Sequence, residues 1–412
     1  MSSIKDRALF VFDDPEHRGV GVIAQELGAL NYRTIALFDF TFESLVGVEL
    51  LVTVSIPFTK LSKFLEGLHG SNPDRSYKVV MMLPERNIPK SESRFFEALN
   101  EDCFDGIAHV STANFNHWKD RFPNKIHGYF QDPSTLTTGE PKVAADMSVI
   151  SSGVFASFKG LGVLLRGSSE FNNFPELTFS YTGCQFKMSK KSGKVTGSPE
   201  LVISLAGDLK EKKLRDNIVL HPSDDWSARE SGGKLNVFPS YSNRSENTRR
   251  IAESGVYLFT PCAVLDEKSL KSHVRRAHLL RWGSAVDYNL LEAMASGTPC
   301  LISYGYHGRL LSRIEDYGRS RLGIDLRWPI PLYDTLTDAA TLALSIVGDE
   351  NYTEISKSQL DYFNKLRDVQ NAMLEEDLGI FLGEVVASYD SIDIPKGTEF
   401  GLKGLMKFPE SA

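Results

Sequence analysis

The stretch "DYNLLEAMASGTPCLIS", Asp287 to Ser303, reads as one helix, one stop signal and one strand. Asp287 or Asn289 can cap the helix, Gly297 can end it, and Thr298-Pro299 opens an apolar strand. A helix that runs into a strand through so short a turn is a building block of parallel α/β sheets. One residue resists this reading. Glu292 sits among Leu290, Leu291, Ala293, Met294 and Ala295, where an ionised carboxylate is costly unless something pairs with it. It either points to solvent or holds a ligand.

The same alternation runs through the chain. Strand candidates in the first half are 8–12, 34–40, 49–56, 78–83, 106–111 and 125–130; in the second half they are 147–154, 176–183, 217–222, 256–261 and 299–304. Short β-branched runs separated by helical patterns predict two doubly wound α/β sheets. The turn-rich loop "QDPSTLTTGEPK" (131–142) divides them. The expected organisation is an N-terminal domain over 1–142, a second domain over 143–356, helices over 357–390 and an irregular tail over 391–412.

A length of 412 residues suits two cores, and 42% hydrophobic with 24% charged residues places the chain among ordinary globular proteins. Cys103, Cys184, Cys262 and Cys300 are scattered, without a C-x-x-C pair, so neither a disulfide framework nor a zinc site is expected, and a reducing cytoplasm fits. The N-terminus lacks an apolar signal core. The longest apolar run, 45–58, is broken by Glu49 and too short to span a bilayer, so no membrane insertion is expected. The net charge of −7 argues against a surface positive all over, and any polyanion contact must be local. Local candidates are Lys187, Lys190, Lys191 and Lys194, the 210–215 run, Arg244 to Arg250, and Lys271 to Arg281, each of which also fits a solvated face.

In open α/β sheets ligands bind beyond the carboxyl ends of strands. Gly19 and Gly21, between the first strand and a helix starting near Val22, fit either a tight turn or close backbone approach to a phosphate or sugar. Gly153 ends a strand, and Lys159-Gly160 opens the next helix, where a lysine opposes the helix dipole unless an anion sits with it or solvent takes it up. Glu292, in the first turns of its helix, can reach a hydroxylated ligand. His17, His109, His127 and His307 stand at strand ends, in reach of a cleft or of structural partners.

These residues carry a resemblance. "SVISSGVFASFKGLGVLLRG", then "ESGVYLFTPC", then "NLLEAMASGTP" resemble the donor-binding half of retaining glycosyltransferases of the GT-B type. The resemblance implies two Rossmann-like domains facing across a cleft, with a C-terminal helix crossing back to the first. It implies a nucleotide-sugar donor, most simply a UDP-sugar, and no obligatory cofactor or metal. Lys159 would then neutralise the diphosphate and Glu292 would accept from ribose hydroxyls, with Gly19, Gly21, Gly153, Tyr288, Asn289 and Leu290 around the donor. Two departures stand out. The family's Gly-Arg reads Gly153-Val154, and the carboxylate expected eight residues before Glu292 is Ser284. Arg18, Arg166 or Arg281 would have to supply the second cation.

"RGVGV" (18–22), "YFQDP" (129–133), the F-K-G of 158–160 and "DYNLLEAMASGT" resemble, more narrowly, phage α-glucosyltransferases that modify hydroxymethylcytosine in DNA. That likeness implies Glu85 facing the acceptor, although Pro84 replaces the family's histidine before it, and Asp287 as a second catalytic acid where a plain N-cap fits equally. It implies double-stranded DNA as partner, contacted through Arg18, Arg281, Lys190 and Lys191. A glycosyltransferase acting on a glycan, lipid or metabolite is the alternative, and a nucleotide-sugar epimerase or non-catalytic binder a second one.

Overall fold

The computed structural model describes residues 3–13, 20–54, 56–83, 100–109, 118–143, 145–154, 161–184, 216–221, 225–238, 244–260, 287–303, 311 and 314–385. The chain forms two compact units. Unit 1 holds Met1–Thr135, Val274–Ala285 and Arg367–Glu399, and unit 2 holds Leu136–His273, Val286–Leu366 and Phe400–Ala412. Among the described residues no helix is long and apolar enough to cross a membrane.

Unit 1 is built on β1 (Ala8–Phe12), β2 (Arg33–Ala36), β3 (Leu50–Val54), β4 (Lys78–Leu83), β5 (Gly106–His109) and β6 (Ile126–Tyr129). They form one parallel sheet in the order β2-β1-β3-β4-β5-β6. Every residue of β1 and β3 is buried, because "ALFVF" and "LLVTV" are apolar on both faces and only a sheet covered on both sides accommodates that. Helix α1 (Val20–Ala29) follows β1, and α2 (Phe58–Ser71) follows β3. The expected strand 34–40 is shorter than its apolar run. β2 ends at Ala36, a 3₁₀ turn takes Leu37–Asp39, and Phe38 is 78% exposed. Among the described residues β2 is an edge strand, paired with β1.

Unit 2 is built on β7 (Ser148–Val154), β8 (Thr178–Cys184), β9 (Ile218–Leu220), β10 (Leu235–Phe238), β11 (Val256–Phe259) and β12 (Cys300–Ile302), ordered β12-β11-β7-β8-β10-β9 and parallel throughout. Among the described residues its helices include α3 (Leu161–Gly167), α4 (Arg244–Glu253), α5 (Tyr288–Ala295) and α6 (Leu336–Val347). The sequence reading missed β10, four buried residues entered through Gly232 and Gly233 at φ +83° and +71°. Gly233 is obligatory there, since a Cβ would stand 2.2 Å from the Phe171 carbonyl oxygen.

The long helix α7 (Tyr352–Leu382) contributes to both units. In unit 2 it clasps the turn between α5 and β12. Ser356 Oγ donates to Gly297 O (2.7 Å), Gln359 Nε2 donates to Thr298 O (2.6 Å), and Gln359 Oε1 accepts from Cys300 N (2.6 Å). In unit 1 its buried face includes Val369, Leu374, Leu378 and Phe381. Phe381 lies against the bare backbone of two strands. A Cβ on Gly106 or Gly128 would meet its ring at 3.0 or 2.8 Å. Arg7 grips Glu384 with both Nη atoms (2.5 and 3.0 Å), and Lys5 pairs with Glu375 (3.1 Å).

His109, the last residue of β5, and His127, the second residue of β6, are buried and stacked with ring centroids 5.2 Å apart. His127 Nε2 lies 2.8 Å from Phe122 O, so it carries the proton, and His127 Nδ1 accepts from His109 Nε2 at 2.9 Å. Burial lowers both imidazoles. His127 pushes His109 further down, and Lys119 does the same to His127. The unfolded chain therefore takes up these protons first, and stability is lost as pH falls below the ordinary histidine value of about 6.5. The protein is therefore expected to be less stable at pH 5.5 than at pH 7.5. Urea midpoints of the wild type and of His109→Asn at the two pH values check this, the substitution removing part of the pH dependence.

Candidate functional site at the carboxyl edge of the unit 2 sheet

The strand order of unit 2 turns back between β7 and β11, since β8 follows β7 on one side while β11 joins it on the other. Crevices at such switch points bind ligands in open α/β sheets. The carboxyl ends of these two strands are polar although buried. Ser151 Oγ and Thr260 Oγ1 lie 3.3 Å apart, and Ser152 Oγ and Tyr257 Oη 3.2 Å apart. Burial, and next the charge of Asp287, hold the Tyr257 phenol well above its ordinary range, so it stays a neutral hydrogen-bonding group. Gly153 is the penultimate residue of β7.

Helix α5 is fixed at both ends. Asp287 is its N-cap, with Oδ1 accepting from Asn289 N (2.9 Å) and from Asn289 Nδ2 (3.0 Å). At the other end Gly297, at φ +74°, donates to Met294 O (3.1 Å) and Thr298 N donates to Ala293 O (3.2 Å), a Schellman closure. The pins of α7 described above hold the same turn. Tyr288 and Asn289 are half-buried and Leu290 is fully buried.

Glu292 is 4% exposed, so it does not point to solvent. Thr248 Oγ1, on the neighbouring helix α4, donates to Glu292 Oε2 at 3.3 Å. The sequence named Glu292 but not its partner, which lies 44 residues away and carries no local signal. Ser151, Ser152, Tyr257 and Thr260 were missed as well. Consecutive serines at the end of an otherwise apolar strand were the clue.

The structure brings Gly153, Asp287, Tyr288, Asn289, Leu290 and Glu292 into unit 2, and Gly21 lies buried at the start of α1 in unit 1. Arg18, Gly19, Glu85, Lys159, Lys190, Lys191 and Arg281 lie outside the described residues. The Arg244–Arg250 cluster is no polyanion surface in its second half. Arg249 pairs with Glu246 (2.6 Å) and with Glu253. Arg250 is 1% exposed, bonded to Glu246 Oε1 and Thr182 Oγ1 at 3.0 Å each and set against the Trp226 ring. A cavity of about 520 Å3 in unit 2 lies between Glu315, Arg319, Arg327 and Trp328, and none of its lining residues is one the sequence singled out. Among the described residues no three His, Cys, Asp or Glu side chains are grouped as metal ligands.

No protein-family model matches the sequence, and no curated protein matches it by sequence. Solved structures do match in fold. An α-glucosyltransferase in complex with UDP-glucose and DNA containing an abasic site aligns over 87% of this chain and 94% of its own, with a TM-score of 0.54 at 14% identity. The chain has the GT-B fold. Anabaena Alr3699/HepE, solved in complex with UDP and glucose, aligns over 89% of this chain and 97% of its own at 10% identity and a TM-score of 0.49. In this GT-B chain the β7–β11 switch point and the capped helix α5 therefore belong to the second of the two sheets.

Proposed function

We propose that the protein is a retaining glycosyltransferase that moves a sugar from a UDP-sugar to a hydroxyl acceptor, and that the acceptor is hydroxymethylated cytosine in double-stranded DNA. The observation that carries the reading is Glu292, a buried carboxylate held by Thr248 on a helix locked at both ends beside a topological switch point. A rigid acceptor-only group suits the vicinal hydroxyls of a ribose, which are donors.

In this reading the bond from the anomeric carbon to the diphosphate oxygen breaks, the acceptor oxygen bonds that carbon on the same face, and the acceptor proton leaves to the departing phosphate. Lys159 neutralises the diphosphate, with Arg18 or Arg281 as second cation. Glu85 faces the acceptor, and Asp287 stands near the reacting sugar. Gly19, Gly21 and Gly153 let backbone approach the donor, and Tyr288, Asn289 and Leu290 shape its surroundings. A target base leaves the stack to reach the sugar, and Lys190 and Lys191 add backbone contacts, so affinity falls steeply with salt. The protein works in the cytoplasm, that of a host cell if it is phage-encoded. Its N-terminal domain, 1–142, takes the acceptor and the domain over 143–356 the donor.

A second reading, transfer to a glycan, lipid or small metabolite, is favoured by the neutralised Arg249 and buried Arg250 and by the net charge of −7. One assay separates the two. The protein is incubated with hydroxymethylcytosine-containing duplex DNA and a panel of UDP-, GDP- and ADP-sugars, and the digested nucleosides are weighed. The expected result is a mass gain of one sugar with a UDP donor. Nucleotide binding without any gain would sink the DNA acceptor, and release of an epimer without acceptor would sink transfer itself.

A further inference from the structure

Helix α4 reaches the flank of α5 with two adjacent polar residues, Asn247 and Thr248. The hydrogen-bond directions between them are forced from one end. Asp287, as a carboxylate, only accepts, so Asn289 must turn its Nδ2 toward it and its Oδ1 away. Asn247 meets that oxygen at 3.4 Å and must therefore offer its own Nδ2. Its Oδ1 is left over. Asn247 is 1% exposed, and this oxygen is buried with no hydrogen-bond partner. Buried carbonyl oxygens are nearly always satisfied, and an exception calls for a ligand or an ordered water. One residue on, Thr248 holds Glu292 Oε2.

We propose that α4 supplies the second half of a ribose-diol subsite: Thr248 is a positioning residue that orients Glu292, and Asn247 Oδ1 accepts a hydrogen bond from the neighbouring ribose hydroxyl. A carboxylate on α5 and an amide oxygen next in sequence to the threonine that holds it would match a pair of hydroxyl donors and leave a deoxyribose with an unmet partner. The site then discriminates ribonucleotide from deoxyribonucleotide donors. This rests on the reading of the protein as a UDP-sugar enzyme.

The experiment is calorimetric binding of UDP, 2′-deoxy-UDP and 3′-deoxy-UDP to the full chain, wild type and variants, with donor kinetics alongside. Wild type is expected to bind UDP at least tenfold more tightly than either deoxynucleotide. Asn247→Leu is expected to weaken UDP about tenfold while leaving one of the two deoxynucleotides unchanged, because the lost hydroxyl and the lost oxygen are the same contact. Thr248→Val is expected to raise KM for the donor about fivefold at constant kcat, with Thr248→Ser restoring it. Equal weakening of all three nucleotides by Asn247→Leu overturns the proposal while the UDP-sugar reading survives. So does wild type that binds the deoxynucleotides as tightly as UDP, a result that needs no variant to fold. Wild type that binds none of the three overturns both.

Discussion

Glu292→Ala is expected to lower kcat/KM for the sugar donor by about a hundredfold. A hydroxyl donor to a charged acceptor contributes up to about 3 kcal/mol, and each 1.4 kcal/mol is a factor of ten. The loss should fall on donor affinity, since the ribose is held alike before and during transfer. Glu292→Gln keeps the shape of the side chain but removes its charge, and should still weaken donor binding. Steady-state kinetics and a thermal melt on the same preparations decide the matter. Wild-type turnover in Glu292→Ala would remove Glu292 from the donor site.

Phe381→Ala is expected to cost unit 1 about 3 to 5 kcal/mol, the usual penalty for emptying a large buried aromatic site. The ring is 1% exposed and sits where Gly106 and Gly128 leave no side chains. β5 and β6 therefore cannot relax inward by moving a rotamer, and the cavity stays open. Denaturant unfolding measures the loss, and a change below about 1 kcal/mol would contradict the packing. The reciprocal test fills the groove instead. Gly128→Ala brings a Cβ to 2.8 Å of the ring, and Phe381→Leu should rescue it more than additively.

Much of this fold is legible in the sequence because parallel strands buried on both faces read as unbroken apolar runs, as β1 and β3 do. The capped helix was legible too, since Asp287 and Gly297 act through neighbours two to five residues away. β10 was missed because four residues give too short a run, and its place between β8 and β9 is decided by strands far along the chain. The arginines of α4 misled for a related reason. Counting them as a basic cluster overlooks the i,i+3 and i,i+4 pairing of Arg249 with Glu246 and Glu253 and the burial of Arg250 beneath Trp226. At the site, Glu292 stood out by its chemistry. Thr248 and Asn247 did not, because their meaning comes from packing across 42 to 44 residues.

The sharing of α7 bears on how the protein is made. Ribosomes release chains from the N-terminus, and an independent first domain would fold while the second is still being synthesised. Here the first sheet must wait. Its partners Phe381, Glu375 and Glu384 leave the ribosome some 250 residues after β6 does, a delay that follows from pairs such as Arg7–Glu384, 377 positions apart. The nascent sheet spends that interval with the glycine backbone of β5 and β6 uncovered, which places the burden of early folding on unit 2 and makes the first half of the chain the natural client of a chaperone.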